Sequence, residues 1–407
     1  MPEHLVIVGG GQAAVQVVQS VRQNGFDGNV TLIGEESDPP YQRPPLSKKY
    51  LAGALARERL YLKPESFYES RGVELLLGLR AMELELGRRR IRLNDDRTLS
   101  YDRLVLATGS RVRRTGLPGD ELEGVHYVRT IGDIDAIAAG FRPGAKLVIV
   151  GAGYIGLEVA AVAIERGLDV TVLEAFGRVL ARVVCAEVSG FFHSRHTEAG
   201  VRIVCSAKVA AFVGTDRVEA VETAAGHRFP CDLAIVGIGV LPNVELAQSA
   251  GLACDNGIRV DACARTDEPG VVAAGDCTNH PHPFVGRDIR LESVHNAIEQ
   301  AKAAASSLTG TPREFADIPW FWSDQYDIKL QIAGLALEYD EVAIRGDMNE
   351  RRFAAYYLLN GRPVAIDAVN SPRDFINGKK LLASRVRLSA LEIADPAVDL
   401  SRRIKEP

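Results

Sequence analysis

The sequence predicts an α/β fold: two parallel-sheet units built on one plan, followed by a small α+β domain. Three observations carry this. A short apolar strand, a glycine-rich turn and a helix open the chain, and the same series returns from Lys146. Each copy runs on to a second apolar strand that ends in an acidic residue. After Pro319 the pattern changes, and strand-type runs joined by a turn replace it.

In the first copy, Leu5-Val-Ile-Val8 reads as a buried strand, then a glycine-rich turn, a helix and the strand Val30-Thr-Leu-Ile33. The region closes on Arg103-Leu-Val-Leu-Ala107. In the second copy, Lys146 to Val150 is a strand, Gly151 to Gly156 the turn, Leu157 to Arg166 a helix, and Val170 to Leu173 the next strand. Asp232 to Gly237 and Gly270 to Gly275 are further short apolar strands ending in glycine. In the last part, Arg352 to Leu359 and Val364 to Val369 read as a hairpin about Asn360-Gly361, with a helix around Lys379, Lys380 and Leu381.

Gly9-Gly10-Gly11-Gln12-Ala13-Ala14 fits G-x-G-x-x-A between a strand and a helix. Gly9 makes the turn, Gly11 admits a pyrophosphate close to the backbone, and Ala14 allows close helix–strand packing. The helix N-terminus offers positive dipole to phosphate. Glu35, just past the next strand, is placed to accept ribose hydroxyls. Gly151-Ala-Gly-Tyr154-Ile155-Gly156 is the second copy, with Gly151, Gly153 and Gly156 in the same roles, and Glu174 follows 23 residues after Gly151. A carboxylate there holds the adenosine ribose of NAD and repels a 2′-phosphate. Arg178 and Arg182 follow, the residue type that NADP sites use, so NADH is the expectation with NADPH as its competitor. Two fingerprints mean two dinucleotides. The N-terminal one is expected to hold FAD, since it leaves the rest of the chain to wrap the flavin. Asp276, after the strand Val271 to Ala274 and Gly275, is placed for the ribityl hydroxyls.

Composition narrows the class. A net charge of −5 gives no basic field for nucleic acid. No apolar run reaches the roughly 20 residues that span a bilayer. The first residues, Met1 to Val8, lack a basic stretch and a small-residue cleavage site, so a cytoplasmic protein is expected. The six cysteines are scattered without a C-x-x-C pair, which reads as buried reduced thiols. His280-Pro-His282 lacks a third ligand and reads as a loop, so no metal is expected.

Six motifs carry a resemblance: Arg43-Pro-Pro-Leu-Ser-Lys48, Leu104-Val-Leu-Ala-Thr-Gly109, Gly151 to Glu158, Gly237-Ile-Gly-Val-Leu-Pro-Asn243, Gly275-Asp-Cys277 and Trp320-Phe-Trp-Ser-Asp-Gln-Tyr326. Over nearly its whole length the chain resembles the NADH-dependent ferredoxin reductases of bacterial oxygenase systems, the putidaredoxin reductase and biphenyl dioxygenase reductase-component family. The resemblance implies a glutathione-reductase-like flavoprotein with two Rossmann-like dinucleotide-binding domains. Residues 1–110 and 242–318 would form a discontinuous FAD domain, 111–241 an inserted NAD domain, and 319–407 an α+β domain that covers the flavin and docks the partner. It implies non-covalent FAD, with contacts at Ala14, Glu35, Lys48, Ala81, Arg129, Asp276 and Val294 and, within the motifs, at Arg43, Ala107, Thr108, Gly109 and Trp320. For NAD(H) it points to Ile155, Glu174 and Gly239, with Glu158 near the nicotinamide.

The resemblance makes Lys48 the cation near the flavin, and a buried ammonium needs a partner, for which Glu158 is the candidate. Disulfide reductases carry a redox cysteine after the first acidic residue. Here Glu35 to Lys49 contains none, so electrons are expected to leave directly to an outside acceptor. The implied acceptor is a [2Fe-2S] ferredoxin serving a cytochrome P450 or a ring-hydroxylating oxygenase. One of Trp320 and Trp322 is expected to line the electron exit. Between Arg373 and Arg387 five cations stand against one acid, which makes Lys379 and Lys380, with Lys302 and Lys329, candidates for docking an acidic partner. A monomer or weak dimer is expected. Rubredoxin reductase, which shares all these motifs, is one enzyme alternative, and an NADH oxidase or a nitrite-reductase-type flavoprotein module is another. A signalling flavoprotein like apoptosis-inducing factor is the reading from a different class, without a targeting segment or a basic composition to support it.

Overall fold

The computed structural model describes residues 2–403. The chain forms two compact units, Met1–Gln42 with Ala56–Arg111 and Val240–Pro319, and Arg43–Leu55 with Val112–Gly239 and Trp320–Pro407. The short segment Arg43–Leu55 and the C-terminal stretch therefore both group with the middle of the chain.

In the first unit a parallel sheet runs in the order Val271–Ala273, Arg103–Leu106, His4–Val8, Asn29–Gly34, Val73–Leu77. Leu5 pairs with both Val30 and Arg103, so His4–Val8 is an inner strand. Leu5, Val6 and Ile7 are fully buried, which explains a continuous apolar run rather than an alternating one. The helices Gln12–Gln23 and Val294–Leu308 pack together. A second core joins Val6, Leu104 and Ala273 to Leu84, Ile91 and Leu93 of the antiparallel strands Ala81–Glu85 and Arg90–Leu93.

The second unit repeats the plan. Its parallel sheet runs Arg202–Val204, Asp169–Leu173, Lys146–Val150, Leu233–Val236, Val125–Tyr127. The helix after the glycine turn is Tyr154–Glu165, starting three residues before the apolar pattern predicts, because the fingerprint itself forms its first turn. The last part of the chain is an antiparallel sheet ordered Trp320–Gln325, Ile328–Gly334, Arg362–Val369, Arg352–Leu359, Glu341–Asp347. Asn360 and Gly361 both have positive φ (52° and 74°) at the hairpin, as the Asn-Gly signal requires. The helix Pro372–Ser384 packs on this sheet.

One sequence expectation is corrected here. His280-Pro-His282 is not a loop but part of the strand Thr278–His282. Both imidazoles are buried around the ring of Phe315, and burial pulls both pKa values down, that of His280 to about 4. Among the described residues no helix is long and apolar enough to cross a membrane.

Candidate active site

The two glycine-rich turns are forced by contact. Gly9 has φ +124°, and a Cβ there would lie 2.0 Å from the Ala107 carbonyl oxygen. Gly151 has φ +104°, and a Cβ would lie 2.5 Å from the Gly237 oxygen. Gly11 and Gly153 serve differently. Each caps its helix, Gln12–Gln23 and Tyr154–Glu165, with no side chain over the N-terminus, and a Cβ on either would enter open space. The first-turn N–H groups of both helices thus face room for a ligand, the arrangement that suits a pyrophosphate. Ala14 is fully buried where its helix meets the sheet. The residues present fit one dinucleotide at each turn.

The first unit assembles its other predicted residues around the sheet's C-terminal edge. Asp276 accepts a hydrogen bond from Ser110 Oγ at 2.8 Å. Its turn is held by a residue the sequence reading missed: the buried Gln300 accepts from the Gly275 N–H and from Thr278 Oγ1, both at 2.8 Å. Gln300 Nε2 and Asn296 Oδ1, one turn apart on the helix that Val294 begins, are buried without a partner among the described residues, so two polar atoms stand ready for a ligand. Thr108 Oγ1 donates to the Asn243 carbonyl at 2.7 Å, and Asn243 Nδ2 donates back to the Thr108 carbonyl at 2.9 Å. The Asn243 N–H donates to the carbonyl of Gly109, so two of the six motifs lock together there. Ala81 begins its strand half-buried. Glu35 is exposed, 3.6 Å from the Arg80 guanidinium.

In the second unit Glu174 is buried, and both its oxygens are in use. Oε2 accepts from the Ala152 N–H at 2.7 Å and Oε1 from the Phe176 N–H at 2.9 Å. The carboxylate therefore braces the glycine-rich turn as well as ending its strand. Arg178 is tied to the carbonyls of Ala181 and Cys185, while Arg182 is exposed. Ile155 is exposed, and Gly239 has φ +107° beside open space. Tyr154 packs on Phe321 with ring centroids 4.9 Å apart, and burial pushes its hydroxyl pKa well up.

Lys48 and Glu158 meet in this unit, Nζ to Oε2 at 2.7 Å, with Glu158 3% exposed. Ser47 Oγ donates to Oε2 at 2.5 Å and Ser323 Oγ to Oε1 at 2.6 Å. Three donors saturate a buried charge that alone would be costly. Both serines lie inside motifs quoted above, but neither position signals a role by itself. Arg43 donates to the carbonyl of Arg129 at 2.7 Å. Trp320 lies 5.6 Å from the ring of Trp322, and the Lys379 ammonium sits 5.6 Å above the Trp320 ring. Lys329 and Lys380 are exposed. Lys302, in the first unit, pairs with Glu299 at 2.6 Å, and Glu299 also meets Arg313 at 3.0 Å.

All six cysteines are free thiols. Burial raises the pKa of Cys277, whose Sγ contacts the carbonyls of Leu106 and Ala274. His295, Glu299 and Asp317 bring ligand-type atoms within 4.8 Å of one another, but the Glu299 carboxylate is already neutralised by two cations.

Two uncapped dinucleotide turns and a lysine paired with the buried Glu158 define an oxidoreductase of the two-nucleotide class. The chain belongs to the pyridine nucleotide-disulphide oxidoreductase family, whose model matches residues 3–301, and a reductase C-terminal model matches residues 320–404. A ferredoxin–NAD(P)+ reductase of Sphingomonas sp. is 44% identical over 384 residues, covering 94% of this chain and 93% of that protein. A rubredoxin–NAD+ reductase of Pseudomonas putida is 38% identical over 372 residues, covering 91% and 96%. Among solved structures, the covalent putidaredoxin reductase–putidaredoxin complex matches with a TM-score of 0.95 at 40% identity, covering 99% of this chain and 98% of that one.

Proposed function

We propose that the chain is an FAD-containing, NADH-dependent ferredoxin reductase serving a cytochrome P450 or a ring-hydroxylating oxygenase. The observation that carries this is the segment Glu35 to Lys49. It contains no cysteine and instead supplies Lys48 to an ion pair with the buried Glu158. Electrons thus have no protein thiol to reach there and leave to an outside acceptor.

In this reading residues 1–110 and 242–318 hold FAD, 111–241 hold NADH, and 319–407 dock the partner. When bound, FAD supplies the exchange between a two-electron hydride donor and a one-electron acceptor. The chain's own residues bind and orient. The N–H groups behind Gly11 and Gly153 take the two pyrophosphates, Glu35 and Glu174 take ribose hydroxyls, and Asp276 takes the ribityl chain. Arg43, Ala81, Arg129, Val294 and Trp320 are further flavin contacts. Lys48 places a positive charge at the flavin, and Glu158 keeps that charge in place beside the nicotinamide. Lys329, Lys379 and Lys380 meet an acidic [2Fe-2S] ferredoxin, with Lys302 as a further contact. The protein works in the cytoplasm as a monomer or weak dimer.

The test is turnover of the purified holoenzyme with NADH and either a [2Fe-2S] ferredoxin or a rubredoxin, against its background rate with oxygen. Fast reduction of ferredoxin is expected. The similarity to a rubredoxin reductase supports a second reading, and preference for rubredoxin would establish it in place of the first.

A further inference from the structure

One of the three donors on Glu158 ends a chain of hydrogen bonds. Ser323 Oγ donates to Glu158 Oε1 at 2.6 Å, and Gln325 Nε2 donates to Ser323 Oγ at 3.2 Å. Gln325 Oε1 lies 2.9 Å from His196 Nε2, and the Tyr326 hydroxyl lies 2.9 Å from His196 Nδ1. Ser323 and Gln325 are two apart on the strand Trp320–Gln325 and so share one face. His196 reaches them from the helix Ala186–Glu198. Glu158, Ser323, Gln325 and His196 are all buried, and these four and Tyr326 belong to the second unit.

Each link has one allowed polarity. Ser323 has a single proton, and facing a carboxylate paired with Lys48 it must donate that proton. Its oxygen then accepts from the Gln325 amide nitrogen, which turns the amide oxygen to His196. That oxygen can only accept, so His196 carries its proton on Nε2. Burial lowers the His196 pKa to about 4, so the ring is neutral near pH 7 and Nδ1 has a lone pair. Tyr326 must therefore donate to it. A cation on His196 would put two donors face to face at Nδ1 unless the Tyr326 hydroxyl turned away.

We propose that His196, acting through Gln325 and Ser323, is a positioning residue that fixes the orientation of the Glu158 carboxylate, with Tyr326 supporting the tautomer that Gln325 selects. Glu158 cannot turn without leaving the Ser323 hydroxyl unpaired, and Ser323 cannot turn without disturbing the amide behind it. Lys48 and Ser47 hold the other carboxylate oxygen, so the two sides together leave one orientation. The proposal rests on the reading that the Lys48–Glu158 pair serves reduction by NADH.

The test joins structure to rate in the holoenzyme. Nitrogen-15 NMR of the His196 ring should show the neutral Nε2–H tautomer, and Tyr326→Phe should keep it, because the Gln325 amide oxygen still accepts from Nε2. In rapid mixing with NADH, Ser323→Ala should lower the limiting rate of flavin reduction on the order of tenfold, with the half-saturating NADH concentration unchanged. Ser323→Thr, which keeps the hydroxyl, should restore it. His196→Leu should act in the same direction by a smaller factor. The double variant should be no slower than Ser323→Ala alone, because both act through one chain. Multiplying effects in the double variant, an Nδ1–H tautomer, or a lowered melting temperature at wild-type rate would each overturn the proposal. If Glu158→Gln is slow while Ser323→Ala and His196→Leu keep the wild-type rate, the positioning idea alone fails. If Glu158→Gln itself keeps the wild-type rate, the underlying reading of the Lys48–Glu158 pair fails with it.

Discussion

Replacing Glu174 with glutamine tests how the second nucleotide turn is built. The carboxylate takes the Ala152 N–H at 2.7 Å and the Phe176 N–H at 2.9 Å in a buried setting. Glutamine keeps one acceptor oxygen and replaces the other with an NH2, so one of these N–H groups must face a donor. Leaving a buried donor unmade costs about 1–3 kcal/mol. A central cost of about 2 kcal/mol corresponds to roughly a 30-fold change in an equilibrium. Ala152 stands directly before Gly153, where the helix opens to the dinucleotide; in the variant the free turn relaxes, and binding must restore its braced form, so the cost falls on ligand binding. For Glu174→Gln, kcat/KM with NADH should drop about 30-fold, mainly through KM, measured with ferricyanide as acceptor. NADPH should lose much less, because the negative charge that repels its 2′-phosphate is gone. A wild-type preference of roughly 30- to 150-fold, worth about 2–3 kcal/mol, should then narrow to within a few fold. Glu174→Arg is a poorer test, since a buried guanidinium would remove both acceptors and disturb the turn itself. Unchanged NADH kinetics in Glu174→Gln would refute the bracing role. Equal wild-type use of NADH and NADPH would refute the charge argument.

Asp367 is buried against the Tyr357 hydroxyl, and burial raises its pKa to about 7. A carboxyl raised above its unfolded value contributes stability below about pH 4 and loses it as pH rises through about 7, by about 4 kcal/mol at most. Denaturant unfolding of Asp367→Asn should therefore lack a fall in stability between pH 4 and 8 that the parent shows, and parallel curves would disprove this. FAD should come free into solution on acid or heat treatment, and recovery of FMN, or flavin that stays attached, would contradict the reading of Gly9, Gly11, Glu35 and Asp276. Ferredoxin reduction should slow as salt rises while ferricyanide turnover with NADH stays nearly constant. Charge reversal at Lys329 and Lys380 together should raise the apparent KM for ferredoxin on the order of tenfold and leave the KM for NADH unchanged. An unaltered ferredoxin KM would move the docking site to apolar contact around Trp320 and Trp322.

The two nucleotide turns were legible because their causes are local or repeat. Gly11 and Gly153 are read from a spacing that recurs in both copies. The Asn360-Gly361 hairpin is set by two residues with positive φ. The surroundings of Glu158 were legible only in part. Its link to Lys48 followed from the need of a buried ammonium for a partner, but Ser47, His196 and the strand that carries Ser323 and Gln325 are separate stretches of chain. Their hydrogen bonds span 111 residues for Ser47–Glu158, 165 for Ser323–Glu158 and 129 for His196–Gln325. No periodicity carries such information. His280-Pro-His282 was misread as a loop because the lack of a third metal ligand says nothing about the backbone that carries the two histidines. Pro281 pairs with Asp288 on one edge of its strand, and on the other edge, among the described residues, Ile258–Arg259 reaches Thr278 and Asn279 but not Pro281, so a proline is tolerated there.

The two acids that end the second strand of each copy show where a pattern stops informing. Glu35 and Glu174 occupy the same place in a repeated plan, and the sequence assigns them the same task. Glu35 is 69% exposed on its side chain and faces only a loose contact with Arg80 at 3.6 Å. Glu174 is 8% exposed, and its oxygens hold two backbone N–H groups. The difference arises in the glycine turn. In the second copy the chain leaves Glu174 through Phe176, whose N–H turns back onto the carboxylate while Ala152 approaches from the other side. In the first copy no hydrogen bond of this kind ties Glu35 to Gly10, the counterpart of Ala152, among the described bonds. A ligand at Glu35 thus meets a side chain free to adjust, whereas a ligand at Glu174 meets one already fixed by the fold. Fixed charge discriminates better than mobile charge, because it cannot move away from a 2′-phosphate. In the proposed reading the second copy holds the nicotinamide nucleotide, so Glu174 would oppose a 2′-phosphate with a charge that cannot move away, and the same acid bears on the integrity of the turn.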